Sequence, residues 1–306
     1  MLAACGGGAG EGDDSIASKT STTSAIKTVF VIVMENHDWS QIQGNGSAPY
    51  INHKLLPMSS YALNYRSPQG LHPSEPNYIW LEAGSNLGIT DDKGPGDNHK
   101  STTDHLVSQL TRAGKDWRSY QMSIEGDECP LEGAPLFSEY VPRHNPMVYF
   151  DDVTNGNDEH SSTCIQHVRP YDELSRDLAT NKVAAYNFIT PDLCHDMHGG
   201  EIDCLFFSDQ VKNGDDWLAS EIPKIMRSNA YKSGGAIFIT WDESEHANDP
   251  IGMIVLSPFA KGGGYNNHIP YTHSSMLRSV ERIFGLPYLR GAAQANDLAD
   301  LFTSFP

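Results

Sequence analysis

Thr28-Val-Phe-Val-Ile-Val-Met34 runs without a break into Glu35-Asn36. Two later segments repeat that arrangement. Ala184-Ala-Tyr-Asn-Phe-Ile189 runs into Thr190-Pro-Asp192, and Ala236-Ile-Phe-Ile-Thr-Trp241 runs into Asp242-Glu243. Each run is short, rich in β-branched or aromatic residues and continuous rather than alternating, the signature of a strand buried on both faces. In open α/β sheets, ligands sit just outside the carboxyl ends of the strands. The three runs are therefore expected to deliver hard oxygen donors to one edge of one sheet.

Around these runs the pattern alternates strand-like and helical segments from about Lys27 onward, which predicts an α/β fold with a mostly parallel sheet flanked by helices. Capping residues and apolar spacing predict helices over 101–113, 215–228 and 272–284, the last capped by Thr272 and closed by Gly285. Between roughly Gly126 and Pro170 the periodicity fails, and the stretch reads as a loop-rich insertion over the sheet edge. Residues 1–26 are a low-complexity tether expected to be disordered, and 27–306 one domain with its insertion near 126–170.

Asp+Glu number 39 against 21 Lys+Arg, a net charge of −18. Phosphate-backbone binding needs cationic stripes, so nucleic acid is excluded as an expected partner. Leu2-Ala-Ala-Cys5 matches a lipobox, yet no basic and apolar segment precedes it. A lipid anchor at Cys5 and a chance match both stay open, the anchor being the expected membrane contact. The other four cysteines allow three disulfide pairings, and the local one, Cys129–Cys164 with Cys194–Cys204, is preferred because each bond closes one insertion. Even cysteine usage predicts an exported protein, periplasmic, secreted or anchored at the bacterial envelope. It is expected as a monomer.

In His72-Pro-Ser-Glu-Pro-Asn-Tyr78, Ser74 reads as the N-cap of a short helix closed near Gly84. A hydroxyl there sees unpaired N–H groups and the positive end of the helix dipole, which suits a nucleophile that attacks phosphorus. An ordinary serine cap has the same sequence. Asp192-Leu-Cys-His195-Asp196-Met-His198 puts two carboxylates and two imidazoles in one loop after a strand, either a ligand set or a solvated loop. Glu35, Asn36, Asp242 and Glu243 offer carboxylate and amide oxygens suited to Mg²⁺, Ca²⁺ or Mn²⁺, with Zn²⁺ kept open by nearby histidines.

Val33-Met-Glu-Asn36, His72-Pro-Ser-Glu-Pro-Asn77, Arg143-His-Asn-Pro146, Pro191-Asp-Leu-Cys-His-Asp-Met-His198, Thr240-Trp-Asp-Glu243 and Thr272-His-Ser-Ser-Met-Leu-Arg278 occur in this order. Together they resemble the bacterial phosphoesterase family of acid phosphatases and phospholipases C within the alkaline phosphatase superfamily, and most closely its short secreted acid phosphatases. The resemblance spans roughly residues 27–290 and implies an alkaline phosphatase-like fold. It implies Ser74 as nucleophile and Glu35, Asn36, Asp242, Glu243 and Ser74 as ligands of a divalent metal. His198 and His273 would be catalytic, while His72, Asn77, His144, His195 and Asp196 would bind substrate. Asp192 and Asp196 sit where relatives bind a second metal, a site that this family has altered. Imidazolium groups would then carry the missing charge and favour an acidic optimum.

The expected activity is metal-dependent hydrolysis of a small phosphate monoester or phospholipid head group through phosphoserine. A phospholipase C or other diesterase would need an apolar groove, for which the insertion offers Phe137, Tyr140, Tyr149 and Phe150. A surface lipoprotein that only binds metal or phosphate is the remaining alternative.

Overall fold

A computed structural model describes residues 1–3, 26–133, 139–199, 204, 209–246 and 248–306. Residues 4–25 of the tether, Cys5 among them, and Phe137 lie outside them. Ten strands are described: β1 (Thr28–Met34), β2 (Ser60–Ala62), β3 (Tyr65–Arg66), β4 (Trp117–Gln121), β5 (Val168–Pro170), β6 (Tyr186–Thr190), β7 (Gly235–Trp241), β8 (Met253–Leu256), β9 (Tyr265–Asn267) and β10 (Tyr271–Thr272). Eight form one sheet in the order β5-β4-β6-β1-β7-β8-β2-β9, and β3 pairs with β10 apart from it. Only the β7–β8 and β8–β2 pairings of the large sheet are antiparallel.

The three diagnostic runs are the neighbours β6, β1 and β7 at the centre of this sheet. Every residue of β6 and β7 is buried, as is β1 after Thr28. Burial on both faces explains why these runs do not alternate. Helices cover the sheet, among them Ser74–Ala83, Leu106–Arg112, Asp172–Thr180, Gln210–Arg227 and His273–Phe284. Among the described residues, no helix is long and apolar enough to cross a membrane.

The helix boundaries differ from those expected. Residues 101–105 are not helical, because His105 is an extended cap whose ring is buried, stacked on Phe150 at 3.8 Å and bonded to Asp152. The long helix starts at Gln210 rather than at 215, since Asp209 accepts the Lys212 N–H. Ser74 is the first helical residue and not the cap; Pro73 occupies the cap, after a cis His72–Pro73 peptide. Thr272 and Gly285 do bound their helix.

Two glycines fix how helices approach the site. Gly84 ends the Ser74 helix at φ +67°, and a Cβ there would lie 2.8 Å from the Leu289 carbonyl oxygen. A Cβ on Gly214 would stand 2.4 Å from Met197 Cγ, so only glycine lets the long helix pass beneath the 192–198 loop. The Ser74 and His273 helices are further tied by Trp80, which donates to Ser274 Oγ at 2.7 Å.

The insertion folds as a chain of short turns ending in β5, which pairs with β4 as the edge strand. Cys129–Cys164 and Cys194–Cys204 are both bonded, with Cα separations of 5.4 and 5.2 Å. Two such bonds fit an exported protein. Tyr149 and Phe150 are fully buried in packing, which removes these two from the apolar surface expected for a diester, while Tyr140 is nearly buried at the wall of a cavity formed with 123–133.

Candidate active site

Register brings the first two carboxylates together. Met34 of β1 pairs with Trp241 of β7, so Glu35 and Asp242 each leave the sheet one residue beyond the same pair. The Asp242 amide donates to the Met34 carbonyl at 2.9 Å and continues the ladder past the last strand residue. Asn36 then turns to φ +52°, a left-handed conformation that asparagine tolerates well. Its N–H donates to Asp242 Oδ1 at 3.1 Å. β6 ends beside β1, and the loop after it returns so that the Glu35 amide donates to the Asp196 carbonyl at 2.8 Å.

Ser74 completes the group. Its hydroxyl donates to Glu35 Oε2 at 3.1 Å, and it also interacts with the Asp242 carboxylate, drawing that group's pKa down. Both ends of the contact are buried. Ser74 opens a ten-residue helix, whose dipole favours negative charge at that end.

His144 enters from the insertion. Its Nε2 lies 3.1 Å from Glu35 Oε1 and its Nδ1 3.3 Å from Asp196 Oδ2, although Nε2 lacks the alignment of a hydrogen bond. Tyr78 stacks flat on the ring, 5.1 Å between centroids with planes 12° apart. Burial pushes the His144 imidazole well below its usual range, so it is neutral. Asp196 Oδ1 accepts the His198 amide at 2.7 Å, and the His198 ring centre is 5.9 Å from that of His144. His198 Nδ1 donates to the Gly199 carbonyl.

Two residues expected at the substrate, His273 and Asn77, face inward instead. His273 donates from Nε2 to the Asp242 carbonyl at 2.6 Å and accepts the Tyr65 hydroxyl at Nδ1, 3.1 Å away. With both nitrogens engaged it has no proton for a substrate, and burial lowers its pKa to about 4. It positions Asp242. Asn77 is wholly buried and gives its amide protons to Leu71 O, Pro73 O and Glu243 Oε2, which holds the turn before Ser74. Glu243 Oε2 is taken by Asn77 at 3.0 Å and by His72 Nδ1 at 2.8 Å, so this carboxylate stands at the rim of the group. His72 is exposed. His195 sits at the other rim, paired at 2.5 Å with Asp192, which raises its pKa.

The donor set fits a cation. Glu35 Oε1 and Asp242 Oδ2 are buried carboxylate oxygens without a hydrogen-bond partner. Burial and then the neighbouring Asp242 and Asp196 charges raise Glu35 well above the usual carboxylate range. Asp242 is raised to about 6 by burial and Glu243 to about 9 by burial and the Asp242 charge. Uncompensated buried carboxylates are costly, and a divalent ion among oxygen donors relieves that cost. Among the described residues, the trios whose ligand atoms all lie within 4.8 Å of one another are Glu128, Glu159 and His160, all exposed, and Glu139, Asp192 and Cys194. Cys194 is bonded to Cys204, and neither trio touches Ser74. The convergent set is therefore Glu35, Asp242 and the Ser74 hydroxyl, with Asn36 beside them.

The family model for the phosphoesterase family matches residues 56–287. The chain belongs to that family. It is 26% identical over 277 residues to a Mycobacterium tuberculosis protein named phosphatidylinositol-3-phosphatase, covering 90% of this chain and 82% of that protein. A Kluyveromyces lactis protein named as a probable acid phosphatase is 25% identical over 279 residues, 87% of this chain. The chain spans about 60% of the length of that yeast relative. Relatives of the chain thus occur in yeast as well as in bacteria. The fold matches that of an alkaline phosphatase superfamily protein from Vibrio parahaemolyticus, with a TM-score of 0.55 at 10% identity over 88% of this chain and 70% of that one. Phosphonate monoester hydrolase of Agrobacterium radiobacter gives 0.57 at 11% identity over 92% of this chain and 78% of the other. At such identities these two matches speak for the fold alone.

Four further residues of this site carry no obvious mark in the sequence. Tyr78 lies one helical turn after Ser74, and that i+4 spacing is the one signal that points to it. Tyr65 and Asp92 come from loop-rich segments without periodicity. Arg143 lies in a recognisable motif, but nothing in the spacing gives it a task.

Proposed function

We propose that the chain is a metal-dependent phosphomonoesterase of acid phosphatase type that acts through a phosphoserine on Ser74. Its class, a phosphoric ester hydrolase, follows from family membership. One observation carries the mechanism: the Ser74 hydroxyl is buried against Glu35 and Asp242 at the tip of a helix. Glu35, Asp242, Ser74 and Asn36 would hold a divalent ion, with Mg²⁺, Ca²⁺ or Mn²⁺ favoured by an oxygen-only set and Glu243 supporting from the rim. Such an ion, when bound, lowers the cost of negative charge on the serine and phosphoryl oxygens.

The Ser74 hydroxyl gives its proton to Glu35 Oε2, to which it already donates, as its oxygen attacks phosphorus. The bond to the leaving alkoxide breaks as the Ser74 oxygen–phosphorus bond forms, and His198 supplies the proton that the alkoxide needs. Water then attacks the phosphoserine and loses a proton to His198, while the Ser74 oxygen leaves phosphorus, takes its proton back from Glu35 and frees inorganic phosphate. Asp192 raises the pKa of His195, which adds positive charge at the mouth as the pH falls, whereas burial lowers the pKa of His144 and His273.

The relatives' names support a monoester, either small or a lipid head group. A non-catalytic binder would not need a buried hydroxyl between two carboxylates. The test is hydrolysis of p-nitrophenyl phosphate against p-nitrophenyl phosphorylcholine, before and after chelation and with each divalent ion restored. Metal-restored turnover of the monoester supports the proposal; preference for the diester, or full activity in chelator, contradicts it. The disulfides support an exported enzyme.

A further inference from the structure

The structure assigns a task to Arg143: we propose that its guanidinium grips two phosphoryl oxygens of a monoester dianion and so sets the preference for monoesters over diesters. This inference rests on the phosphomonoesterase reading of the same site.

Arg143 belongs to the short turn Pro142–His144, so it is rigidly joined to the imidazole that faces Glu35. On its other side, Asp92 spans the gap to the Ser74 helix. One Asp92 oxygen accepts the amide of Glu75 at 2.9 Å, and the other lies 3.8 Å from Arg143 Nε. Two separate routes therefore tie Arg143 to the start of that helix, one through His144 and Glu35 and one through Asp92 and Glu75.

Asp92 lies on the Nε side of the guanidinium, and among the described residues Arg143 donates no hydrogen bond to the protein. Its side chain keeps 22% of its exposure, so the protein covers it only in part. Its charge bears on the site itself, drawing Asp196 down and disfavouring protonation of His144. It is thus a cation that acts on a cluster of carboxylates through Asp196. A site this rich in carboxylates would otherwise repel a phosphate dianion.

The guanidinium fork matches two phosphate oxygens at once. A monoester has three non-bridging oxygens, which leaves two for the fork once one faces the carboxylate-bound ion. A diester has two, which leaves one. Loss of the fork should therefore weaken monoesters selectively.

The test uses the full chain in divalent metal with Arg143→Gln and Arg143→Lys, each checked for an unchanged melting temperature. Expected for Arg143→Gln is a KM for p-nitrophenyl phosphate raised roughly 10- to 100-fold, as for a charged hydrogen bond, with a smaller change in kcat. Calorimetric affinity for inorganic phosphate should fall by a similar factor, and Arg143→Lys should recover part of both. p-Nitrophenyl phosphorylcholine, as substrate or competitor, should change several-fold less. Unchanged phosphate affinity in Arg143→Gln, or equal losses for monoester and diester, overturns the assignment. Phosphate affinity reads the fork whether or not the wild type turns over, and wild-type turnover alone decides the phosphomonoesterase reading.

Discussion

The backbone N–H of Asn36 donates to Asp242 Oδ1 at 3.1 Å across 206 residues of sequence. That bond forms because β1 and β7 are neighbours in register up to Met34 and Trp241, and because Asn36 adopts a left-handed turn. It fixes one Asp242 oxygen and leaves Oδ2 buried without a partner, beside Ser74 and Glu35. Sheet register is thus what turns two distant acidic stretches into one donor set.

Removing the hydroxyl should separate binding from chemistry. Ser74→Ala is expected to lose turnover of p-nitrophenyl phosphate by several orders of magnitude while still retaining divalent metal by elemental analysis. Substantial activity in this variant would exclude Ser74 as the attacking group.

Asp242→Ala should lower metal content and activity together, since the loss takes a ligand oxygen and the acceptor of the Asn36 amide at once. Metal stoichiometry equal to wild type would take Asp242 out of the ligand set.

His273 acts through Asp242 in this geometry and not on the substrate. His273→Ala is expected to weaken metal affinity roughly 10- to 100-fold, the usual cost of losing a group that orients a ligand. Its kcat at saturating metal should fall far less. Tyr65→Phe, which leaves Nδ1 without its donor, should shift affinity in the same direction. A collapse of kcat with unaltered metal affinity would restore His273 as a catalytic imidazole.

Glu82 predicts a pH dependence of stability. It is wholly buried on the Ser74 helix, accepts the Tyr186 hydroxyl at 2.5 Å, and burial raises its pKa from 4.5 to about 8. The folded state therefore binds this proton more tightly than the unfolded one. Its contribution is fully present below about pH 4.5 and is lost as pH rises towards 8. Glu82→Gln should melt higher than wild type at alkaline pH and show a shallower decline in melting temperature across that window. Parallel melting curves for the two proteins would remove Glu82 from the account.

The central strands were legible because strands buried on both faces carry uninterrupted apolar runs, and their acidic ends followed from where such strands stop. The disulfide pairs were legible from local spacing, and both form. Helix starts were less so. His105 has ordinary helical neighbours, yet stacking on Phe150 holds it extended; Pro73 takes the cap that the Ser74 hydroxyl could have filled. The orientation of imidazoles was not legible at all. Whether His273 meets substrate depends on Tyr65 and on a backbone carbonyl of β7's continuation, neither of which its own sequence neighbours reveal. Asn77 and Glu243 escaped for the same reason, since they satisfy one another across 166 residues.

The most direct test of the central claim is to look for the covalent intermediate. Metal-loaded enzyme turning over p-nitrophenyl phosphate, quenched in acid and mapped by mass spectrometry, should carry one phosphoryl group on the peptide that contains Ser74, and none in Ser74→Ala. Rapid turnover with no phosphoryl enzyme trapped at any quench time, or with the group on another residue, would contradict the account.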